Sequence, residues 1–362
     1  MTRRFLQLWV LFLWLMALAA TGWSQVRHEI AFPDIPGYKT LKCDFHMHTV
    51  FSDGTVWPTV RVDEAYRTGL DAIAISDHIE YQPHKDDIPT NFNRSYELAL
   101  GRARELGIIL IRAAEITRDT PPGHFNAIFL KDINPLAKPD LVEAISAACE
   151  QGAFVFWNHQ AWKGEELGRW MDIHTELYEK KLLHGMEVAN GSTYYPTAHK
   201  WCLEKGLTMV GNSDIHQPDL LTQNTAAEHR TITLVFVTER SENGIREALR
   251  AGRTAVWWGE NLIGKPEWLQ ALLEESVDIA EPHLRTKTSV WTNVTNKSAI
   301  DIVLRRVGQI GPAELTLKAG TTTLVRINAP DTSKPLELQY EVTNFLAEPG
   351  KGLTVTYTIP AP

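Results

Sequence analysis

The sequence predicts an α/β barrel followed by a small antiparallel β-sandwich. From residue 41 to about residue 258, short β-branched or apolar runs alternate with amphipathic helical stretches, a pattern typical of parallel β/α construction. From about residue 286 onward, polar and apolar residues alternate in runs rich in Thr, Val and Ile, which is typical of antiparallel strands. The 362 residues suffice for one large and one small domain, because single cores stop growing at about 250 to 300 residues.

Residues 1–25 have the pattern of a signal peptide. Arg3 and Arg4 form a short basic region, and an uninterrupted apolar run follows from residue 8 to residue 20. This run is shorter than the roughly 18 to 20 residues of a membrane-spanning helix, so a retained anchor is the less favoured alternative. We therefore expect an exported protein, periplasmic or secreted, with no stable membrane insertion after the signal is removed.

The barrel is predicted to span residues 26–275, with strands and helices alternating along it. The predicted strands cover residues 41–47, 72–76, 108–115, 125–129, 154–157, 186–189, 208–211 and 231–237. The predicted helices cover residues 58–68, 95–106, 139–151, 172–183, 197–205, 242–251 and 264–275. Several of these helices stop at a glycine, as helix C-termini commonly do. The number of parallel units favours a barrel over an open sheet.

The β-sandwich is predicted to span residues 276–362. Its predicted strands cover residues 290–294, 300–306, 321–328, 336–342 and 353–359. Turns rich in Gly, Pro and Asn separate these strands, as in small antiparallel sandwiches. Its sequence contains no cluster of metal-binding residue types, so the candidate chemistry lies in the barrel.

Imidazole and carboxylate side chains recur where the predicted barrel strands end. They are Asp44, His46, His48 and Asp53 after the first strand, Asp77 and His78 after the second, Glu115 at the third, His124 before the fourth, His159 after the fifth, and Asp214 and His216 after the seventh. The strand ends of a parallel barrel meet at one mouth. Singly, each residue has an ordinary explanation as a turn or surface residue. Together they need compensating charge, which bound cations provide, so we predict a multinuclear metal site.

The order and spacing of these residues resemble a known superfamily. The stretch Asp44-Phe-His46-Met-His48-Thr-x-x-Ser-Asp53-Gly and the later ligand-type residues are similar to the motifs of the PHP (polymerase and histidinol phosphatase) superfamily over about residues 41–257. The longer segments around Glu80 and His124, together with the sandwich, resemble the exported Sb-PDE family of phosphodiesterases.

The PHP resemblance implies a distorted (β/α)7 barrel that holds three divalent cations. It divides nine residues among the ions: His46, His48, Glu115 and Asp214 for one; His124 and His159, with Glu115 shared, for the second; and Asp53, His78 and His216 for the third. Asp44 and Asp77 match motif positions without being ligands, and we interpret them as acids that support catalysis by orienting imidazoles. Nitrogen and oxygen ligands without thiolates suit Mn²⁺, Zn²⁺ or Fe²⁺.

The predicted reaction is hydrolysis of small alkyl or aryl phosphodiesters by a hydroxide that bridges two of the metal ions, without a covalent enzyme intermediate. We predict that Arg118 and Arg230 bind the substrate anion, with Arg118 also assisting catalysis; a surface salt bridge is the alternative for each. Trp57, Tyr81 and Trp162 can form an apolar wall for an ester group, or can pack in the core.

Other functions stay open on the sequence. A phosphomonoesterase of the histidinol-phosphatase type would use the same metals, and a surface binding protein would use the sandwich and keep an inert barrel. The formal charge of −8 and the lack of a basic run argue against binding of duplex nucleic acid, so the expected partner is a small phosphoester. The three cysteines leave open whether Cys149 and Cys202 pair.

Overall fold

A computed structural model describes residues 25–88 and 91–362, so residues 1–24 of the predicted signal peptide lie outside it. The described residues up to 264 contain eleven strands: β1 (Lys39–Asp44), β2 (Ala72–Ile75), β3 (Ile109–Ile116), β4 (Phe125–Ile128), β5 (Phe154–Trp157), β6 (Gly185–Asn190), β7 (Thr193–Tyr194), β8 (Thr208–Asn212), β9 (Ile232–Val237), β10 (Thr254–Trp258) and β11 (Asn261–Gly264). The α-helices are α1 (Pro58–Arg67), α2 (Arg94–Leu106), α3 (Leu141–Cys149), α4 (Asp172–Glu179), α5 (Pro196–Lys205), α6 (Glu242–Arg250) and α7 (Pro266–Ser276).

Antiparallel strands make up the rest of the described chain. They are β12 (Val277–Ile279), β13 (Leu284–Arg285), β14 (Ser289–Asn296), β15 (Ile302–Arg306), β16 (Glu314–Leu317), β17 (Thr322–Asn328), β18 (Leu336–Glu348) and β19 (Lys351–Ile359). The predicted fold class, an α/β barrel with a small β-sandwich after it, is confirmed. Within the described residues, no helix has both the length and the apolar character needed to cross a membrane. All three cysteines are free, so Cys149 and Cys202 do not pair.

The central sheet is mixed, although the sequence predicted parallel strands throughout. Strands β1, β2 and β3 are parallel, as are β5, β6 and β8. Strand β4 is antiparallel to both β3 and β5, and β9 is antiparallel to β1. The link from β3 to β4 is residues 117–124, which hold no helix. A parallel neighbour needs a crossover of about a dozen residues or more, so β4 returns in the opposite direction.

The segments that follow β1 and β8 meet beside the mouth. The backbone N–H of His48 donates to the carbonyl of Ile215 over 3.0 Å, and that of Asp214 donates to the carbonyl of His46 over 2.9 Å. The buried guanidinium of Arg61 donates to the carbonyls of His48 and Ile215, both at 2.9 Å. The segments after β1 and β8 are therefore held together by backbone and arginine hydrogen bonds.

The barrel sheet continues into the sandwich. Strand β11 pairs in parallel with β18, with Leu262 opposite Phe345 and Ile263 opposite Leu346. The side chain of Asn344 donates to the carbonyls of Glu260 and Asp301, each at 2.8 Å. One fully buried core therefore includes residues from both parts of the chain, such as Leu262 and Phe345. The predicted domain boundary between residues 275 and 276 stays a prediction.

We expect Phe345→Ala to destabilise the barrel as well as the sandwich. Phe345 is fully buried in the shared core, and such truncations cost about 3–5 kcal/mol. Denaturant unfolding followed by far-ultraviolet circular dichroism measures the loss. Leu324→Ala is the matched control, because Leu324 is 59% exposed and its truncation is expected to change stability by less than about 0.5 kcal/mol. A variant whose helical signal unfolds at the wild-type denaturant concentration would contradict the coupling.

Candidate metal centre

The structure brings all nine predicted ligands into one cluster at the mouth of the barrel. Four overlapping groups with ligand atoms within 4.8 Å of one another contain them: His48, Asp53, His78 and His216; His46, His48 and Asp214; His46, Glu115 and His159; and His78, Glu115 and His124. His46 and His48 follow β1, Glu115 lies near the end of β3, and Asp214 follows β8. His124 reaches the mouth because β4 is antiparallel, which puts its first residue at the same edge as the ends of β3 and β5.

At the centre of the cluster, several pairs of ligand atoms have a spacing close to that of tetrahedral metal sites. The Nε2 atom of His46 lies 3.1 Å from Nε2 of His48, from Oε2 of Glu115 and from Oδ1 of Asp214. His48 Nε2 lies 3.2 Å from the same glutamate oxygen and 3.1 Å from the same aspartate oxygen. Tetrahedral ligands about 2.0–2.1 Å from an ion lie about 3.3–3.4 Å apart. His46 and His48 are therefore spaced to share a divalent ion with Glu115 or with Asp214.

Asp53 and Glu115 organise the two sides of this centre. The Oδ1 atom of Asp53 lies 3.3 Å from Nε2 of His216 and 3.5 Å from Nε2 of His78. On the other side, Oε1 of Glu115 lies 2.8 Å from Nδ1 of His124 and 3.7 Å from Nε2 of His159. Each carboxylate thus has at least two imidazole neighbours with which it can share an ion.

The charges of the cluster fit cations. Burial opposes ionisation of Glu115 and Asp214, yet the neighbouring imidazoles hold the pKa of both carboxyls below the usual range. Burial also opposes protonation of His48, but Asp214 and Glu115 raise its pKa to about 9. The Oδ1 atoms of Asp53 and Asp214 are buried without a hydrogen-bond donor, although ring nitrogens lie nearby. Buried carboxylate oxygens in this state are well suited to bind a metal ion.

Asp44 and Asp77 support the cluster through the backbone and hydroxyl groups rather than by contacting imidazoles. Asp44 accepts hydrogen bonds from Ser213 Oγ at 2.5 Å and from the N–H groups of Ser213 and His46 at 3.2 and 3.3 Å. Asp77 accepts from the N–H of Thr49 at 2.7 Å and from Ser52 Oγ at 2.9 Å. The expected direct orientation of imidazoles by these acids is therefore corrected to positioning of the chain that carries them.

Glu187 is the residue that the sequence reasoning missed. It is fully buried in β6, and its Oε1 atom lies 2.9 Å from Nδ1 of His46 and accepts from Asn212 at 2.9 Å. Its Oε2 atom accepts from the N–H of His159 and from Asn190, both at 2.8 Å. A carboxylate at this distance favours a proton on His46 Nδ1, so that Nε2 is the nitrogen that would bind an ion. The sequence signal that could have identified Glu187 is an acid within a predicted strand that is otherwise apolar.

The structure corrects the predicted roles of both arginines. Arg230 is buried, with its guanidinium 3.2 Å from Asp44 Oδ2 and in contact with Asp219, so its charge is already neutralised. Arg118 pairs with Glu80 and donates to the carbonyl of Lys138 at 2.7 Å. Neither side chain lines the cavity over the metal-type cluster. Arg230 instead holds Asp44, which in turn holds the loop before Asp214.

The cavity at the mouth has a volume of about 390 Å³. Four lining residues lie outside the predicted ligand set: Trp162, Asn190, Thr193 and Tyr195. Trp57 and Tyr81, predicted with Trp162 as a possible apolar wall, do not line it. Trp57 packs against Phe51 at a ring distance of 5.5 Å, and Tyr81 lies 6.1 Å from the ring of His78.

Comparison with a solved structure places the chain in a family. It is similar to a two-domain protein from Bacteroides vulgatus ATCC 8482 that contains a predicted PHP-like metal-dependent phosphoesterase. The two chains are 48% identical with a TM-score of 0.88, and the match covers 93% of this chain and all of the Bacteroides chain. The chain belongs to the PHP-like metal-dependent phosphoesterases. The predicted PHP resemblance is thus confirmed, and the narrower resemblance to the Sb-PDE family stays a prediction.

The other comparisons add less. An Ig-like domain family model matches residues 277–358 of this chain. A proposed metal-dependent phosphoesterase from Bifidobacterium adolescentis ATCC 15703 is 17% identical, with a TM-score of 0.39, over 58% of this chain and 96% of that one. No curated protein matches the chain.

Replacing Glu187 by Gln should weaken metal binding about 10- to 100-fold, which is the usual effect of removing a hydrogen-bond partner of a metal-binding side chain. Glutamine has one acceptor oxygen, so two of the four present donors lose their partner. Metal titration followed by calorimetry measures the affinity, and excess metal should restore turnover. Glu204→Gln, at a side chain 53% exposed, is the matched control. Lower thermal stability with unchanged metal affinity would reduce Glu187 to a structural role.

Metal affinity should rise with pH between about 6.5 and 9. The pKa of His48 in the metal-free protein is raised to about 9, so at pH 7 this ring is protonated and must lose its proton when an ion binds. Calorimetry in two buffers with different ionisation enthalpies counts the protons released. His283→Ala, at an exposed histidine, is expected to leave that count unchanged. Metal affinity independent of pH across this window would exclude the protonated state of His48.

Proposed function

We propose that this chain hydrolyses phosphoesters with divalent metal ions, and that its substrates are small alkyl or aryl phosphodiesters. Three ions, each Mn²⁺, Zn²⁺ or Fe²⁺, divided among the nine cluster residues, form the proposed trinuclear site. The donor set supports the metals: imidazole nitrogens and carboxylate oxygens lie 3.1–3.2 Å apart at the centre, and two buried carboxylate oxygens make no well-aligned hydrogen bond. The family of the chain supports the reaction class.

The cavity supports a diester over a monoester through its apolar wall. Among the described residues that line it, none is a lysine or an arginine. A phosphomonoester is a dianion above its second pKa of about 6, whereas a diester carries one negative charge. The proposed divalent ions can neutralise either charge, so the preference depends on the side chains of the cavity wall. The apolar ring of Trp162 in the cavity wall favours a substrate with a second organic group.

Divalent ions in this site would activate a water molecule as nucleophile at neutral pH and neutralise charge on the phosphoryl oxygens. The chain itself supplies the alignment. Glu187 fixes the proton on His46 Nδ1, so that Nε2 faces the centre. Asn190 donates to Glu187 and, over 3.3 Å, to Asp214 Oδ2. These two hydrogen bonds fix the orientation of the Asp214 carboxylate. The hydroxyl of Tyr195 keeps its proton at neutral pH, since burial raises its pKa, and it is available as a donor at the wall.

The proposed place of the reaction is outside the cytoplasm, either in the periplasm or in the medium. This rests on the apolar run and the basic residues within the first 25 positions of the sequence.

The metal-loaded protein should hydrolyse bis(p-nitrophenyl) phosphate with a kcat/KM at least about tenfold above that for p-nitrophenyl phosphate, since the apolar ring of Trp162 in the cavity wall favours a second organic group. Release of p-nitrophenolate measures both rates, and elemental analysis gives the metal content. The reverse preference would replace the diesterase by a monoesterase.

Asp214→Ala should lower kcat/KM by more than the roughly 10- to 100-fold caused by removing a hydrogen-bond partner of a metal ligand, because Asp214 itself lies at the centre of the cluster. Metal content should fall with it. Asp278→Ala, at an exposed aspartate of β12, is the matched control and should keep both activity and metal. Full activity of Asp214→Ala would remove the metal mechanism, and a protein without stoichiometric metal would favour the binding-protein alternative.

A further inference from the structure

Trp162 is an exposed aromatic side chain placed beside the metal-type cluster. Half of its surface is exposed, and it lines the cavity. Its ring centroid lies 5.7 Å from those of both His124 and His159. Because ligand pockets are lined predominantly by hydrophobic and aromatic side chains, an aromatic ring in this position is a candidate for contact with a ligand.

The ring is held in place although it is exposed. Its Nε1–H donates to Thr120 Oγ1 over 3.1 Å, and its backbone N–H donates to the carbonyl of His159 over 3.0 Å. The ammonium of Lys163 lies 4.7 Å from the ring centroid. A ring fixed in this way gives a flat surface whose ordering cost is already met before a ligand arrives.

The rest of the cavity offers no comparable apolar surface. Among the described lining residues, those outside the predicted ligand set and Trp162 are Asn190 and Thr193, which are polar, and Tyr195, which is only 5% exposed. An ester group on a phosphate held by the cluster therefore meets one extended apolar face, that of Trp162.

We propose that Trp162 stacks on a flat aromatic ester group of the substrate, so that aryl phosphoesters are bound in preference to alkyl ones. This rests on the proposed function, because the phosphoryl group is taken to lie at the metal cluster. Stacking of a ring on an aromatic side chain is worth about 1–3 kcal/mol by alanine substitution, which corresponds to roughly 5- to 150-fold in affinity. A phenol or a nucleobase can supply such a ring.

Phosphonates test the proposal without turnover, because their carbon–phosphorus bond is not hydrolysed. Calorimetry on the metal-loaded protein compares phenylphosphonate with methylphosphonate. Wild type should bind the phenyl compound at least about fivefold more tightly. Trp162→Ala should lose that preference at unchanged metal content, and Trp162→Phe should keep most of it. An undiminished phenyl preference in Trp162→Ala would overturn the proposal.

Two controls separate stacking from support of the loop that carries His124. Thr120→Val removes the hydrogen bond to Trp162 but keeps the ring, so most of the phenyl preference should persist. Trp57→Ala removes an aromatic side chain that is 45% exposed and outside the cavity, and should change nothing. If Thr120→Val abolished the preference as fully as Trp162→Ala does, Trp162 would act through the loop and the stacking would be refuted.

Diesters that share p-nitrophenolate as leaving group distinguish a phenol from a nucleobase as the source of the ring that stacks on Trp162. Phenyl p-nitrophenyl phosphate and thymidine 5′-(p-nitrophenyl) phosphate are compared with methyl p-nitrophenyl phosphate, all by p-nitrophenolate release. A higher kcat/KM for the phenyl or the thymidine ester than for the methyl ester, lost in Trp162→Ala, supports stacking. The ester with the higher value identifies the phenol or the nucleoside as the source of the ring. Equal rates for all three esters, unchanged in Trp162→Ala, would refute the stacking while leaving the phosphodiesterase intact. No hydrolysis of any ester would reject the proposed function, and phosphonate binding would still decide the role of Trp162.

Discussion

The burial of Glu115 among imidazoles is the constraint on which the site depends. The carboxylate has no exposed surface, and ring nitrogens of five histidines lie within 3.7 Å of its oxygens: His46, His48, His78, His124 and His159. A buried carboxylate is costly unless opposite charge surrounds it. Acidic neighbours outweigh burial and raise the pKa of His46, His48 and His159, so these imidazoles provide positive charge in the metal-free protein, and divalent ions would replace the protons. Metal binding and proton release are coupled for this reason.

An outer set of buried polar groups holds the cluster in place. Arg61 donates to the carbonyls of His48 and Ile215, Asp77 binds the turn that carries Asp53, and Glu187 contacts His46 and His159. Most of these groups bond to backbone atoms, so each fixes the position of a segment and not only of one side chain. A site built in this way has few ways to relax when an ion leaves, because the segments are held independently of the ion.

The cluster and the sandwich belong to one hydrogen-bonded sheet. Strand β9 pairs with β1 just before His46, β10 and β11 continue the sheet, and β18 adds the sandwich at its edge. A perturbation of the shared core at Phe345 therefore acts on strands that lead to the mouth of the barrel. The sandwich also covers the edge of β11, which removes an open strand edge from the barrel.

The sequence by itself determined the ligand-type residues, their place at strand ends, the barrel and the sandwich, because residue type and local periodicity are properties of short segments. The tertiary structure decided the direction of β4, which brings His124 to the mouth from the start of a strand. It also placed Glu187 against His46 and buried Arg230 between Asp44 and Asp219. Strand direction and charge pairing depend on partners far away in the chain. No local pattern records which partner a strand or a charged group will meet.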